Sequence, residues 1–385
     1  MREIYFDNAA TTRVRPEVAE LMMKVMTEDY GNPSARHIMG MRAEDYVKTA
    51  REDIAATLRV SPKEIFFTSG GTESNNLALI GTALSRAKRG KHIISTGIEH
   101  AAVYKPLDFL REQGFEITIL PVDREGHIDL EELRRAVRSD TILVSLMYVN
   151  NEVGSIEPIA EAGRIIKEQN PDCYFHTDTI QAYGKLKIRP KAEHVDMLSV
   201  SSHKIHGPKG AGFIFIDERV HLHPLILGGG QERDMRSGTE NVPGIAGMGL
   251  AAKLYYQEFD KIEEKLLSVR DRLIDRLSSM EGVTVNTKKD GGFAAHIVSA
   301  SFEGVRAEVL LHALEDKGIY VSSGSACSSN HPAISGTLKS IGVEKELLDS
   351  TLRFSFGIYS EPEEADICAD ALSELLPVLR KYRRR

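Results

Sequence analysis

Cys327 lies in Ser322-Ser323-Gly324-Ser325-Ala326-Cys327-Ser328-Ser329-Asn330, where every neighbour is small or polar. A free cysteine is usually buried and inert. Such surroundings instead predict an accessible thiol, and the thiolate is the reactive form. Lys204 follows an apolar run and a serine pair in Ser199-Val200-Ser201-Ser202-His203-Lys204, just before the tight turn His206–Gly210. A partly desolvated lysine loses its proton readily and can form an imine with an aldehyde cofactor. Spacing alone favours a solvated lysine there, and His203 is equally ambiguous. Asp178 closes the apolar run Cys173–Thr177, with Gln181 three residues on. A carboxylate at a strand end could keep a pyridine nitrogen protonated, or simply cap a helix.

Three further positions have chemical potential. In Phe67-Thr68-Ser69-Gly70-Gly71-Thr72-Glu73 a strand ends in two glycines and a helix begins at once. Converging backbone N–H groups and the positive helix end could cradle a phosphate, although the segment reads equally as a helix start capped by Ser69 or Thr72. Arg353 alternates with apolar residues in Leu352-Arg353-Phe354-Ser355, so it could grip a carboxylate bidentately or serve a structural ion pair. His100 follows a strand end and could stack on a ring or move a proton.

The elements that must position these groups alternate. Strands are expected at Glu64–Thr68, His92–Thr96, Glu116–Pro121, Thr141–Met147, Tyr174–Thr177, Met197–Ser201 and Gly212–Ile216. Helices fall between most of them, at Glu73–Ala87, Leu130–Ala136 and Ala160–Gln169. That rhythm predicts βαβ units and a mainly parallel sheet, with a hairpin at His206–Gly210 making one edge antiparallel. A single long helix, Met248–Ser279, then leads to an α+β region containing His296–Phe302 and Arg353–Phe356. The chain has 385 residues, 42% hydrophobic and 27% charged, so two lobes are expected. A net charge of -7 spread along the chain disfavours nucleic acid as a partner. No apolar run reaches the roughly 18 residues of a membrane span, and no signal peptide is evident at the N-terminus, so the reading is cytoplasmic. Three cysteines are too few for a disulfide framework or a self-contained metal site. Cys173 and Cys368 read as structural.

Taken in order, the motifs resemble the cysteine desulfurases of the NifS/IscS type, within the class-V aminotransferases. The resemblance runs almost end to end, through Tyr5-Phe6-Asp7-Asn8-Ala9-Ala10-Thr11-Thr12, Tyr30-Gly31-Asn32-Pro33-Ser34, Ser69-Gly70-Gly71-Thr72-Glu73-Ser74, Asn150-Asn151-Glu152-Val153-Gly154, Ser202-His203-Lys204, Gly228-Gly229-Gly230-Gln231-Glu232, Arg236-Ser237-Gly238-Thr239, Ser323-Gly324-Ser325-Ala326-Cys327 and Arg353-Phe354-Ser355. It implies an α/β fold-type-I pyridoxal-phosphate-dependent transferase. The large domain (13–255) would hold a mixed, mainly parallel seven-stranded sheet flanked by helices. A smaller α+β domain (1–12 and 256–385) would carry the Cys327 loop.

The same resemblance implies roles. Lys204 would carry the pyridoxal 5'-phosphate, with Gly71, Thr72, Ser201 and His203 on its phosphate. Asp178 would pair with the ring nitrogen, Gln181 would meet the ring oxygen and His100 would stack on the ring. Asn150 and Arg353 would bind the substrate carboxylate, and Asn32 would also line the pocket. Thr239 would reach the phosphate across a homodimer interface. L-cysteine would become L-alanine, leaving a persulfide on Cys327 for a sulfur acceptor such as an iron–sulfur scaffold. No resident metal is implied, although Cys327 could ligate a transient cluster. Gly71 stands where many such proteins have alanine. A selenocysteine lyase or aminotransferase would share Lys204, Asp178 and Arg353, but an aminotransferase gives Cys327 no task.

Overall fold

The computed structural model describes residues 3–323 and 335–382, so Cys327 lies outside the described residues. A short strand, β1 (Ile4–Tyr5), opens the chain. Seven strands then form the main sheet: β2 (Ile65–Thr68), β3 (His92–Thr96), β4 (Glu116–Leu120), β5 (Thr141–Met147), β6 (Tyr174–Asp178), β7 (Met197–Ser201) and β8 (Gly212–Ile216). Every position of β3, β5, β6, β7 and β8 is buried. Near-continuous apolar runs of this kind belong to strands covered by helices on both faces.

The strand order is β2-β8-β7-β6-β5-β3-β4. β8 runs antiparallel to both β7 and β2, and the other pairs are parallel. The hairpin was expected to make an edge antiparallel. The reversed strand instead lies one place in, because β2 pairs with the free side of β8 and takes the edge itself. From β3 the chain moves outward to β4, then returns to place β5 on the other side of β3. The carboxyl ends of β3 and β5 therefore flank a switch point, where open α/β sheets bind ligands.

The C-terminal region forms a second, antiparallel sheet from β9 (Val283–Val285), β10 (Ile297–Phe302), β12 (Ser322–Ser323) and β13 (Thr351–Ser355), in the order β12-β13-β10-β9. β11 (Ile319–Tyr320) pairs in parallel with β1, which ties the start of the chain to this region. The expected long helix is two helices, Val242–Gln257 and Phe259–Ser278. They break at Glu258 (φ -105°, ψ 12°), whose carboxylate accepts a hydrogen bond from Arg15 at 2.7 Å. Both halves keep a buried face, so one out-of-register residue leaves the sequence period almost unchanged. Among the described residues, no helix is long and apolar enough to cross a membrane.

The turn after β2 and the start of β8 are packed backbone against backbone. A Cβ added at Gly212 would lie 2.6 Å from the Gly70 Cα and 2.6 Å from the Val200 carbonyl oxygen. Neither neighbour can rotate away. Gly212→Ala is therefore expected to destabilise the protein by about 1–3 kcal/mol, read as a lower midpoint in urea unfolding. An unchanged midpoint would contradict this packing.

Candidate active site

The glycine turn after β2 opens onto a cavity of about 530 Å³. Gly70 adopts φ 152°, a backbone shape that a side chain would strain. The helix Gly71–Arg86 starts immediately, presenting its first N–H groups at the cavity wall. Gly71, Thr72, Ser201 and His203, the residues that the resemblance assigns to a phosphate, all line this cavity. The His203 ring lies with Nδ1 3.1 Å from the Thr11 hydroxyl. Burial, followed by the nearby Lys204 charge, lowers its pKa to about 4, so the ring is neutral near pH 7. Glu73 fastens the turn: it accepts from the Ser69 N–H and from Arg236 Nε, both at 2.9 Å.

Asp178 ends β6 and is buried at the cavity wall. Ile180 N donates to its Oδ1 at 2.9 Å, and Asn75 Nδ2 to its Oδ2 at 2.8 Å. Burial raises its carboxyl above the ordinary range against the pull of these donors. A buried carboxylate of this kind is satisfied by a cation, and a protonated ring nitrogen is one that the cavity could admit. Asn75, one turn into the helix, was not expected as a partner.

Lys204 closes a short 3-10 turn after β7, and its Nζ donates to the carbonyls of Ala9 (2.5 Å) and Ala10 (2.7 Å). Its own carbonyl accepts from Lys185 Nζ. Burial, with the Lys204 charge behind it, lowers the Lys185 pKa to about 7. Ala9, Ala10 and Thr11 form one wall of the cavity. The sequence marked that segment only through its resemblance.

His100 caps the helix Ala101–Glu112, with Nδ1 accepting from Ala102 N at 3.1 Å. This places the proton of the neutral ring on Nε2, so His100 is a donor there rather than an acceptor. Arg353, in β13, is 4% exposed and reaches the cavity from the second sheet. Its Nη2 donates to Asp7 Oδ1 and its Nη1 to the Asn151 carbonyl, each at 2.9 Å. Its Nε has no partner among the described residues. Gln181 lines the cavity and donates from Nε2 to the Ala9 carbonyl at 3.0 Å.

Three expected residues are elsewhere. Asn150 is fully buried and does not line the cavity. Its Oδ1 accepts from the N–H groups of Glu152 and Val153, and its Nδ2 donates to the Ile98 carbonyl. Those bonds make it the staple of the turn after β5. Asn151 is the asparagine that faces the cavity. Asn32 is exposed in the loop between two early helices, where its Oδ1 accepts from Ser34 N. Thr239 is also exposed and lies outside the cavity.

Together, the glycine turn at a helix start, the lysine beyond β7 and the buried aspartate at the end of the neighbouring strand β6 meet at one cavity on an α/β sheet. A model of the aminotransferase class-V family matches residues 4–368, and the chain belongs to that family. Within it the chain is a member of the cysteine desulfurase group of the NifS/IscS type. It is 44% identical over 380 residues to the cysteine desulfurase IscS of Dictyoglomus turgidum, covering 98% of this chain and 96% of that protein. The solved structure of a NifS-like protein superposes with a TM-score of 0.93 at 39% identity, covering 98% of this chain and 100% of that one. SspA, solved in complex with cysteine, gives a TM-score of 0.81 at 34% identity, covering 93% and 99%.

The two neighbouring asparagines should separate in experiment. Asn150→Ala strips three buried partners and is expected to cost about 2 kcal/mol or more. Asn151→Ala should change stability by no more than about 0.5 kcal/mol. Thermal unfolding of the two variants checks this, and equal losses would contradict the assignment.

Proposed function

We propose that this chain binds pyridoxal 5'-phosphate and converts L-cysteine to L-alanine, delivering the sulfur to Cys327 as a persulfide. The observation that carries the proposal is the convergence of Lys204, Asp178 and Arg353 on one cavity, each from a different strand or strand end. The residues present fit the cofactor. Gly71 is packed against Ile180, whose Cδ1 would lie 2.0 Å from an added Cβ, and the N–H groups of the helix start that it opens are available to a phosphate. An alanine at this position would require the flexible end of Ile180 to turn aside. When bound, the cofactor supplies an electron sink that labilises the Cα proton and then the carbon–sulfur bond of cysteine.

The chain's own groups do the rest. Asp178 keeps a proton on the ring nitrogen by offering it a buried carboxylate. Arg353, with its unpartnered Nε and fixed fork, binds the substrate carboxylate beside Asn151. Lys204 tethers the cofactor at rest. Once the substrate amine takes that place, its Nζ moves the proton at Cα. His100 donates from Nε2 towards the reacting face. The Cys327 thiolate attacks the substrate sulfur and forms an S–S bond. The carbon–sulfur pair stays on Cβ, which takes up a proton to complete alanine.

The same proposal keeps Thr239 for the cavity of a second copy in a homodimer, and Asn32 as a residue lining the pocket. It also keeps the division into residues 13–255 and 1–12 with 256–385, and a cytoplasmic role in supplying sulfur to an iron–sulfur scaffold or another acceptor. The pairing of β1 with β11 supports grouping the first residues with the C-terminal region.

Incubation of the purified protein with L-cysteine and a reductant should release alanine and sulfide. Cys327→Ala should keep the cofactor's visible absorbance and lose turnover. A mutant that matches the parent, or a parent that releases no alanine, would overturn the proposal. Arg353→Lys keeps the charge but loses the fork, and should raise KM for cysteine by about tenfold to a hundredfold, the range of a charged hydrogen bond. An unchanged KM would remove Arg353 from the substrate.

A further inference from the structure

His296 stands immediately before β10, 1% exposed, and its backbone carbonyl accepts from Phe356 N at 2.9 Å. Its Nε2 is 3.3 Å from Oε1 of Gln181, and its Nδ1 has no partner among the described residues. The resemblance to the family gave this residue no role, and nothing in the reaction above uses it. We propose that His296 is a positioning residue that fixes the Gln181 carboxamide with its oxygen turned away from the cavity and its NH2 group turned towards it.

The orientation follows from donor and acceptor logic. The Ala9 carbonyl can only accept, so the group 3.0 Å from it must be the Gln181 NH2. Oε1 then faces His296 and needs a donor, which requires the imidazole proton to be on Nε2. Burial, with Lys185, Arg353 and Lys204 nearby, holds the His296 pKa well below its ordinary value, so the ring is neutral and carries one proton. That proton is spoken for by Gln181, in keeping with an Nδ1 that has no donor to receive. Turning the amide over would set NH2 against the Nε2–H and oxygen against oxygen at Ala9. Both contacts are buried, so neither is recovered by water.

One hydrogen of the Gln181 NH2 is used on Ala9, and the other is left for the cavity that Gln181 lines. Gln181 can therefore offer a ligand only a donor, and the atom it meets must be an acceptor. This deepens the cofactor reading and rests on it: the acceptor is the ring oxygen of pyridoxal phosphate, held in its anionic form. Gln181 would thus select for that oxygen, and His296, contributed by the second sheet, would set the selection.

Two measurements test this. In protein labelled with nitrogen-15 at histidine, the His296 signal, assigned by its loss in His296→Gln, should report the Nε2–H tautomer. An Nδ1–H tautomer would overturn the proposal on the folded parent, whatever the variants do. Dissociation constants are then measured for pyridoxal phosphate and for its analogue lacking the ring hydroxyl, in the parent, His296→Leu and His296→Gln. The preference for pyridoxal phosphate should fall by about threefold to tenfold in His296→Leu, the range of one hydrogen bond, and return in His296→Gln, whose amide can still donate. Equal weakening for both ligands would mean that His296 only supports the fold, and the proposal would fail. A parent that binds neither ligand would sink the cofactor reading instead, and the tautomer would still decide the claim about His296.

Discussion

Asp178 is 3% exposed at the end of β6, the central strand of seven, with one oxygen held by the Ile180 amide and the other by Asn75. A charge placed there is costly unless something positive comes to it. Two features of the surroundings direct that demand outward to the cavity. Glu99, a buried carboxyl just beyond β3, is held by Met147 N and Thr96, and burial raises its pKa well above the ordinary value. Burial thus works against a second negative charge beside Asp178. The cations nearby are also committed: Arg353 has Asp7, and Lys204 has the Ala9 and Ala10 carbonyls.

The cavity needs both sheets, and the N-terminal segment is one of the links that join them. β1 pairs with β11, and Asp7 forms an isolated bridge with Ser355 at the end of β13. From there the next few residues cross to the main sheet. Ala9 receives Lys204 and Gln181, while Thr12 donates to the His203 carbonyl and accepts from the His206 N–H. A stretch of six residues thus fixes the distance between the lysine on one sheet and Arg353 on the other. Catalysis that requires a carboxylate grip and a proton carrier on opposite sides of one ligand depends on that distance.

Much of the fold was legible because its signals are periodic. The strands at His92–Thr96, Thr141–Met147, Met197–Ser201 and Gly212–Ile216 have the expected bounds, since fully buried strands leave unbroken apolar runs between turn residues. The break at Glu258 was not legible, because a charged residue suits an exposed helix face and a helix junction equally. The site was legible where chemistry demands an unusual residue at an unusual place, as at Lys204 and Asp178. It was not legible at Asn150 and Asn151. Two identical neighbours differ only in which way the chain turns, and that is decided by the Glu152, Val153 and Ile98 backbone groups that Asn150 serves. His296 and Asn75 have the same explanation: each acts through a contact more than a hundred residues away, which no local pattern records.

Asn150 also shows how the structure separates supporting residues from working ones. Its oxygen and nitrogen are both spent on the fold. At Arg353, which lines the cavity, the pattern differs: its Nε is buried and has no partner among the described residues. Native interiors leave few such atoms, because each costs as much as a lost hydrogen bond. Here the atom belongs to the cation that the proposal gives to a substrate carboxylate. An unmet donor at a cavity wall is tolerable where a ligand supplies the missing partner, as the carboxylate proposed for Arg353 would.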